Sequence, residues 1–475
     1  MTSISAKIRL TATLIVATIS LFSVLPSNAQ TKLANIFTDH MVLQRGTTVN
    51  IWGTDEAGQS IQLSASWEEE SATISDENGE WNLKLNTPKA GGPFTITVTG
   101  SETIQLEDIL IGEVWFCSGQ SNMEMPIKGY INQPVFGSNE AKLNAGNDQI
   151  RLFHVPHKAS VEPMTDIDGE WLVGSPDTIG DFSATAYFFA KKLQQALNVP
   201  IGLVHASWGG SSAEAWTDAA TLRRLHPELE IPTEVPEERV NQAPSLLHNA
   251  MLHPLIGYTI NGAIWYQGES NIGRYEDYGA LVTGMVNSWR QKWGQGQFPF
   301  YYVQIAPYRY SPDSPVALQR EAQLATLDLL ENSGMAVTLD IGNCTNIHPG
   351  DKETVGNRLA YIALAKTYGM EGIAYSGPVY DAMEITDDGK INLSFRMAER
   401  GLSSFGKPLS GFKIAGEDKV FKTAKAQINR NRTLSVWSEE VPDPVAVRYA
   451  FENCPEATLY NTSHLPASSF RTDDW

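Results

Sequence analysis

Between Thr31 and Leu106 apolar and polar residues alternate in short runs. VNIWGT, SIQLSASW, EWNLKLN and FTITVTG are rich in β-branched and aromatic residues, and DEAGQ, SDENGE and TPKAGGP separate them with turn compositions. A period of two predicts strands with one buried face, hence a small β-sandwich over residues 30–106. From residue 107 to 373 the pattern changes. Apolar runs at IGEVWFC, PIGLVHA, TINGAIWYQ, FYYVQIAP and MAVTLDIG read as buried strands, and helical spacing appears at 182–198, 315–330 and 351–368. Ser183 is placed to cap the first of these helices, with Tyr187, Ala190 and Leu197 on one face. Strands alternating with helices predict a mostly parallel sheet covered on both faces, a three-layer α/β/α domain. From residue 374 to 475 short strands return at KINLSF, LSGFKIAG, AKAQIN, TLSVWS and AVRYAF, predicting a second all-β domain.

The first 29 residues read differently. Lys7 and Arg9 precede an apolar run from Leu10 to Leu25, and Ser27, Asn28 and Ala29 supply small residues before Gln30, the layout of a cleaved export signal. The expected location is therefore periplasmic or secreted, with no membrane association once the signal is removed. The 35 Lys and Arg against 54 Asp and Glu give a formal charge of −19, which repels polyphosphate and argues against nucleic acid as a partner. Cys117, Cys344 and Cys454 are too few for a disulfide framework; at most one bridge can form and the sequence does not choose the pair, while for Cys117 and Cys344 reduced, buried thiols are expected over a bridge between them. A glycan on the sequon at Asn343 would crowd the loop that holds His348, so that position is expected to be unmodified.

In a sheet of this kind, chemistry gathers at the carboxyl ends of the strands. The first strand runs into Ser118-Gly119-Gln120-Ser121-Asn122-Met123, presenting the Ser121 hydroxyl as a candidate nucleophile. Met123 stands where a G-x-S-x-G elbow needs glycine, which disfavours that architecture. The second strand delivers Trp208-Gly209-Gly210-Ser211, whose glycines let backbone amides approach a developing oxyanion. The third ends Tyr266-Gln267-Gly268-Glu269-Ser270-Asn271, offering amide donors and a carboxylate. The fourth leads to His348, in a loop before a helix. Each signal alone also fits an ordinary turn or cap; their joint occurrence gives them weight. Acids, His and Cys show no metal-ligand spacing, so no metal is expected.

That order, with GEVWFCSGQSNMEMPI, ASWGGSSAEAW, WYQGESN and NIHPGDKETVGNRLA, resembles the SGNH (GDSL-like) hydrolases and, within them, the sialate O-acetylesterase branch. The resemblance runs from about Thr31 to the C-terminus. It implies an SGNH-hydrolase domain at 107–373 and a cofactor-free serine carbohydrate esterase acting on O-acetylated glycans or sialic acid. Ser121 is the implied nucleophile and His348 the base, with Ser121, Gly210 and Gln267 as oxyanion donors and Asn271 as a second choice. The superfamily's aspartate three residues before the histidine is Thr345 here, so Glu269 becomes the candidate acid, with Asp340, Asp351 or no acid as alternatives. Trp208, Tyr266 and Trp115 are candidates for sugar packing, and Arg274 for a sialate carboxylate. Acetylxylan-type activity and a catalytically inactive glycan-binding protein are the competing readings. Oligomeric state is not legible.

Overall fold

The computed structural model describes residue 2 and residues 30–475; the expected export signal at 1–29 lies outside the described residues. One long strand, Thr103–Gly119, organises the molecule. Its first half pairs antiparallel with Gly91–Thr99 and parallel with Val42–Gln44, inside the N-terminal β region. Its second half, fully buried, becomes the middle of a second group of strands. There the order is Trp171–Val173, Ile150–His154, Ile201–Ser207, Thr103–Gly119, Gly262–Tyr266, Phe300–Val303 and Ser333–Ala336. All neighbours in this group run parallel except the first two. The result is a large mixed sheet, and the strand crosses the boundary expected at residue 106 without a break.

Side-chain alternation distributes the core between the two faces of this sheet. Trp115, Cys117, Ile264, Tyr266, Tyr301 and Val303 pack with the helices Ala184–Leu197 and Lys352–Lys366. Phe116, Ala263, Trp265, Phe300 and Tyr302 join Val282, Met285 and Trp289 of the helix Tyr275–Trp293. Ser183 caps its helix as expected, accepting from the Ala186 N–H. The strand expected at MAVTLDIG is shorter, Ser333–Ala336, and the chain beyond it turns toward the loop carrying His348. Two short strands, Ile150–His154 and Trp171–Val173, were not legible in the pattern.

After Val379 the chain forms all-β sheets, one of them ordered Val379–Ile385, Ile391–Arg396, Leu434–Trp437, Lys425–Ile428. This C-terminal region is fastened to the body by Arg320, fully buried, which donates to Ser469 Oγ at 2.8 Å and to the Ala450 carbonyl at 3.3 Å. A disulfide joins Cys344 to Cys454, and Cys117 is a free buried thiol. The expectation of a reduced Cys344 is thus corrected, as is the Cys117–Cys344 alternative, while Cys117 is the reduced, buried thiol expected. Cys117 sits inside the sheet, whereas Cys344 lies on a loop that meets the C-terminal region, where the Tyr308 N–H also donates to the Asn453 carbonyl. Among the described residues no helix is long and apolar enough to cross a membrane.

The disulfide closes a separation of 110 residues. Replacing both Cys344 and Cys454 with Ser removes about 5 kcal/mol of loop-closure restraint and should lower the calorimetric melting temperature by about 5 °C. An unchanged melting temperature would show that the cross-link does not restrain the unfolded chain.

Candidate active site

Four strand ends converge on one mouth. The chain leaves Thr103–Gly119 through Gly119, at φ +141°, where a Cβ would meet the Tyr266 carbonyl oxygen at 2.2 Å; only glycine lets the two strands close here. Ser121 then opens the short helix Ser121–Glu124. Its Oγ lies 2.8 Å from His348 Nε2. The imidazole comes from the Gly342–Asp351 loop, and Asn346 Oδ1 accepts from the His348 backbone N–H at 2.9 Å. A Cβ on Gly209 would lie 3.4 Å from Ser121 Cβ, so the glycine turn borders the serine. Gly210 takes φ +73°. The backbone N–H groups of Ser121 and Gly210 have no acceptor among the described residues. Two unpartnered amides beside a serine hydroxyl can hold an oxyanion.

The other expected donors turn inward. Gln267 is fully buried, and Nε2 donates to the Ser211 carbonyl at 3.2 Å and to Asn271 Oδ1 at 2.7 Å, so both its hydrogens are committed. Asn271 is equally buried and donates to both carboxylate oxygens of Glu214 at 3.2 and 3.0 Å. Gln267 has no proton left for a substrate, and Asn271 is fully buried with its amide turned to Glu214. Their role is to hold the Ser211–Glu214 segment after the glycine turn.

None of the acid candidates touches His348. Asp340 forms a paired bridge with Arg358, at 2.6 Å to each terminal nitrogen. Asp351 caps the helix Lys352–Lys366 through the Thr354 N–H at 3.0 Å. Glu269 Oε1 accepts from Asn122 Nδ2 at 2.7 Å, and its Oε2 is buried without a partner. The group at His348 Nδ1 is instead the side-chain oxygen of Gln133. Glu269 acts behind the serine: Asn122 Nδ2 also donates to the Ile347 carbonyl at 3.1 Å, while Asn122 Oδ1 accepts from Lys352 Nζ at 2.5 Å. Burial raises the Glu269 pKa, and burial lowers that of Lys352 to about 7 against the pull of Glu269. Asn122 thereby ties the serine helix to the residue before His348.

The substrate-packing candidates separate in the same way. Trp208 is half-buried at the mouth and stacks flat on His157, with centroids 4.4 Å apart. Glu124 holds this shelf: one carboxylate oxygen accepts from the Gly209 N–H, and the other lies 3.2 Å from His157 Nε2. Tyr266 and Trp115 are fully buried, Tyr266 beneath Lys352 and Trp115 against Phe189 and Tyr301, so neither offers a face to a sugar. Arg274 is tied to Glu214 at 2.9 Å and is no free cation. Asn122, Glu124 and Lys352 lie within the sequence blocks quoted above, whereas Gln133 carries no local signal.

Residues 111–364 match the family described as carbohydrate esterase, sialic acid-specific acetylesterase. The chain is 30% identical to the sialate O-acetylesterase of Homo sapiens, covering 92% of each chain. Its identity to that of Rattus norvegicus is 29%, covering 92% of this chain and 94% of the relative. The crystal structure of a carbohydrate acetylesterase from Xanthomonas citri superposes with a TM-score of 0.86 at 38% identity, covering 94% of this chain and 100% of that one. A family match that spans the large sheet and relatives at 30% identity covered over nearly their whole length lead to one assignment: this chain is a carboxylic ester hydrolase belonging to the sialic acid-specific acetylesterase family of carbohydrate esterases.

Proposed function

We propose that the protein removes O-acetyl groups from sugars through an acetyl-enzyme on Ser121, on an SGNH-type layered domain spanning 107–373 between β domains at 30–106 and 374–475. The observation that carries this reading is the 2.8 Å contact between Ser121 Oγ and His348 Nε2, beside the free amides of Ser121 and Gly210. Ser121 Oγ attacks the acetyl carbonyl carbon as its proton passes to Nε2. The carbonyl electrons move onto oxygen, which the two amides hold. Collapse expels the sugar oxygen, which takes the proton from Nε2. Water then attacks the acetyl-enzyme, again losing its proton to His348; the intermediate collapses, the Ser121 Oγ–acyl bond breaks as Nε2 returns the proton to Oγ, and acetate leaves. The export signal read at 1–29 puts this activity in the periplasm or outside the cell.

An acetylated sialic acid is the first substrate reading, because the family and the curated relatives bear that name. A neutral acetylated glycan of the xylan kind is favoured by one local feature. The cation expected to meet a sialate carboxylate, Arg274, is spent on Glu214, and Glu124 adds negative charge next to Ser121. Acetate release from acetylated sialic acid and from acetylated xylan separates the two. Ser121→Ala and His348→Ala should each lower kcat by about 1,000-fold or more on the preferred substrate; full activity in Ser121→Ala would end the assignment.

His348 must be neutral to accept a proton. Burial lowers its pKa to about 4, the Lys352 charge adds to this, and Glu124 opposes it. Because the folded pKa lies below the ordinary histidine value, kcat/KM should stay level through mildly acidic pH and fall only as pH drops through about 4. An acid limb near pH 6.5 would contradict this environment.

Glu269→Gln probes the buried network in which Asn122 links Glu269 to Lys352. Removing one member of a buried charge pair destabilises by about 3–5 kcal/mol, so the melting temperature should fall, while the acid limb of kcat/KM keeps its position. An acid limb displaced to lower pH, the sign expected on losing a carboxylate that supports the imidazolium, would restore Glu269 as the partner of the imidazole.

A further inference from the structure

The loop after the serine helix is folded around the far side of His348. Ile127 and Lys128 N–H groups donate to the Phe182 and Gly180 carbonyls, both at 3.0 Å. Tyr130 and Gln133 exchange backbone hydrogen bonds at 3.0 Å each, closing a tight turn. Phe136 N–H donates at 2.9 Å to the carbonyl of Gly350, two residues past the histidine. The Tyr130 hydroxyl donates to the Ser121 carbonyl at 3.3 Å, and its ring meets the imidazole edge-on with centroids 5.3 Å apart. So fixed, the loop brings Gln133 Oε1 against His348 Nδ1.

Proton bookkeeping gives this contact a role. If Nε2 is to accept from the Ser121 hydroxyl, Nδ1 must carry the ring hydrogen, and that hydrogen needs an acceptor. The amide oxygen of Gln133 is the acceptor present. We propose that Gln133 is the positioning residue of the reaction, its uncharged amide standing where a triad carboxylate would hold the tautomer and ring plane of His348. This inference rests on the Ser121 and His348 reading above.

An amide differs from a carboxylate in one respect that can be measured: it supplies no countercharge to an imidazolium. The groups facing the ring do not replace that charge in full. Glu124 on the serine helix is the one that raises the imidazole pKa, and Lys352 on the following helix lowers it. Tyr130 keeps its proton, because burial and Glu124 push its pKa far up. Asp351 is committed to the helix cap and Glu269 to Asn122. Gln133 therefore orients the base without strengthening it.

The test compares wild type, Gln133→Ala, Gln133→Glu and Ser121→Ala in acetate-release assays across pH, with melting temperatures recorded for each. Gln133→Ala should lower kcat about 10- to 100-fold with KM within about twofold, and should abolish the downfield Nδ1–H proton signal of His348. Gln133→Glu, nearly the same size, should retain most of kcat and move the acid limb of kcat/KM upward by about one pH unit. Wild-type kcat in Gln133→Ala, or an unmoved acid limb in a folded Gln133→Glu, would overturn the role of Gln133. Activity surviving in Ser121→Ala would instead overturn the site reading itself, so the two failures are distinguishable.

Discussion

A hydrogen bond between Ser121 and His348, 227 positions apart in the chain, is the contact the rest of the architecture serves. Neither residue sits on a long rigid element: the serine opens a helix of four residues and the histidine rides a loop. Their separation is set instead by Asn122, whose amide nitrogen donates to Ile347 and Glu269 while its oxygen accepts a hydrogen bond from Lys352. A fully buried lysine beside a buried carboxylate is costly to desolvate, and such a network is tolerated only where nearly every member has a partner. Here it fixes two loops against each other to within hydrogen-bonding distance. The disulfide to Cys454 anchors the same histidine loop from the opposite side, to the C-terminal sheets.

The strand-end blocks were readable because a parallel sheet forces strand ends together. The strong apolar runs made those strands evident, so Ser121, the glycine turn and His348 could be gathered without coordinates. What could not be read was the direction of individual side chains. Gln267 and Asn271 follow a strand just as an oxyanion donor would, and only the position of Ser211 and Glu214 shows both amides turned inward. Tyr266 lies one position from Trp265 on a buried strand, and alternation places it under Lys352 with no open face. Gln133 was invisible for another reason: it belongs to a loop with no periodicity, and its meaning comes wholly from a partner 215 residues away. The pairing of Cys344 with Cys454 likewise depends on a contact between a loop and a distant β region.

Local electrostatics at the mouth differ from the message of composition. The overall negative charge argues against polyanions, yet the site itself mixes Glu124, half-exposed His157 and buried Lys352 within a few residues of the serine. Glu124 joins the serine helix to both the Gly209 N–H of the glycine turn and the His157–Trp208 stack, so that turn, the serine helix and the aromatic shelf are aligned by one carboxylate. Arg274, chosen from its place in the chain, is neutralised by a neighbour that sequence order did not reveal.

The most direct trial of the account is to quench the enzyme in acid during turnover of an acetylated sugar, digest it, and locate any acetyl group by mass spectrometry. The account predicts one acetyl group on the peptide containing Ser121, at the serine oxygen, and none in His348→Ala. Acetylation at a different residue, or a pre-steady-state burst of product without any acetyl group on the protein, would contradict it.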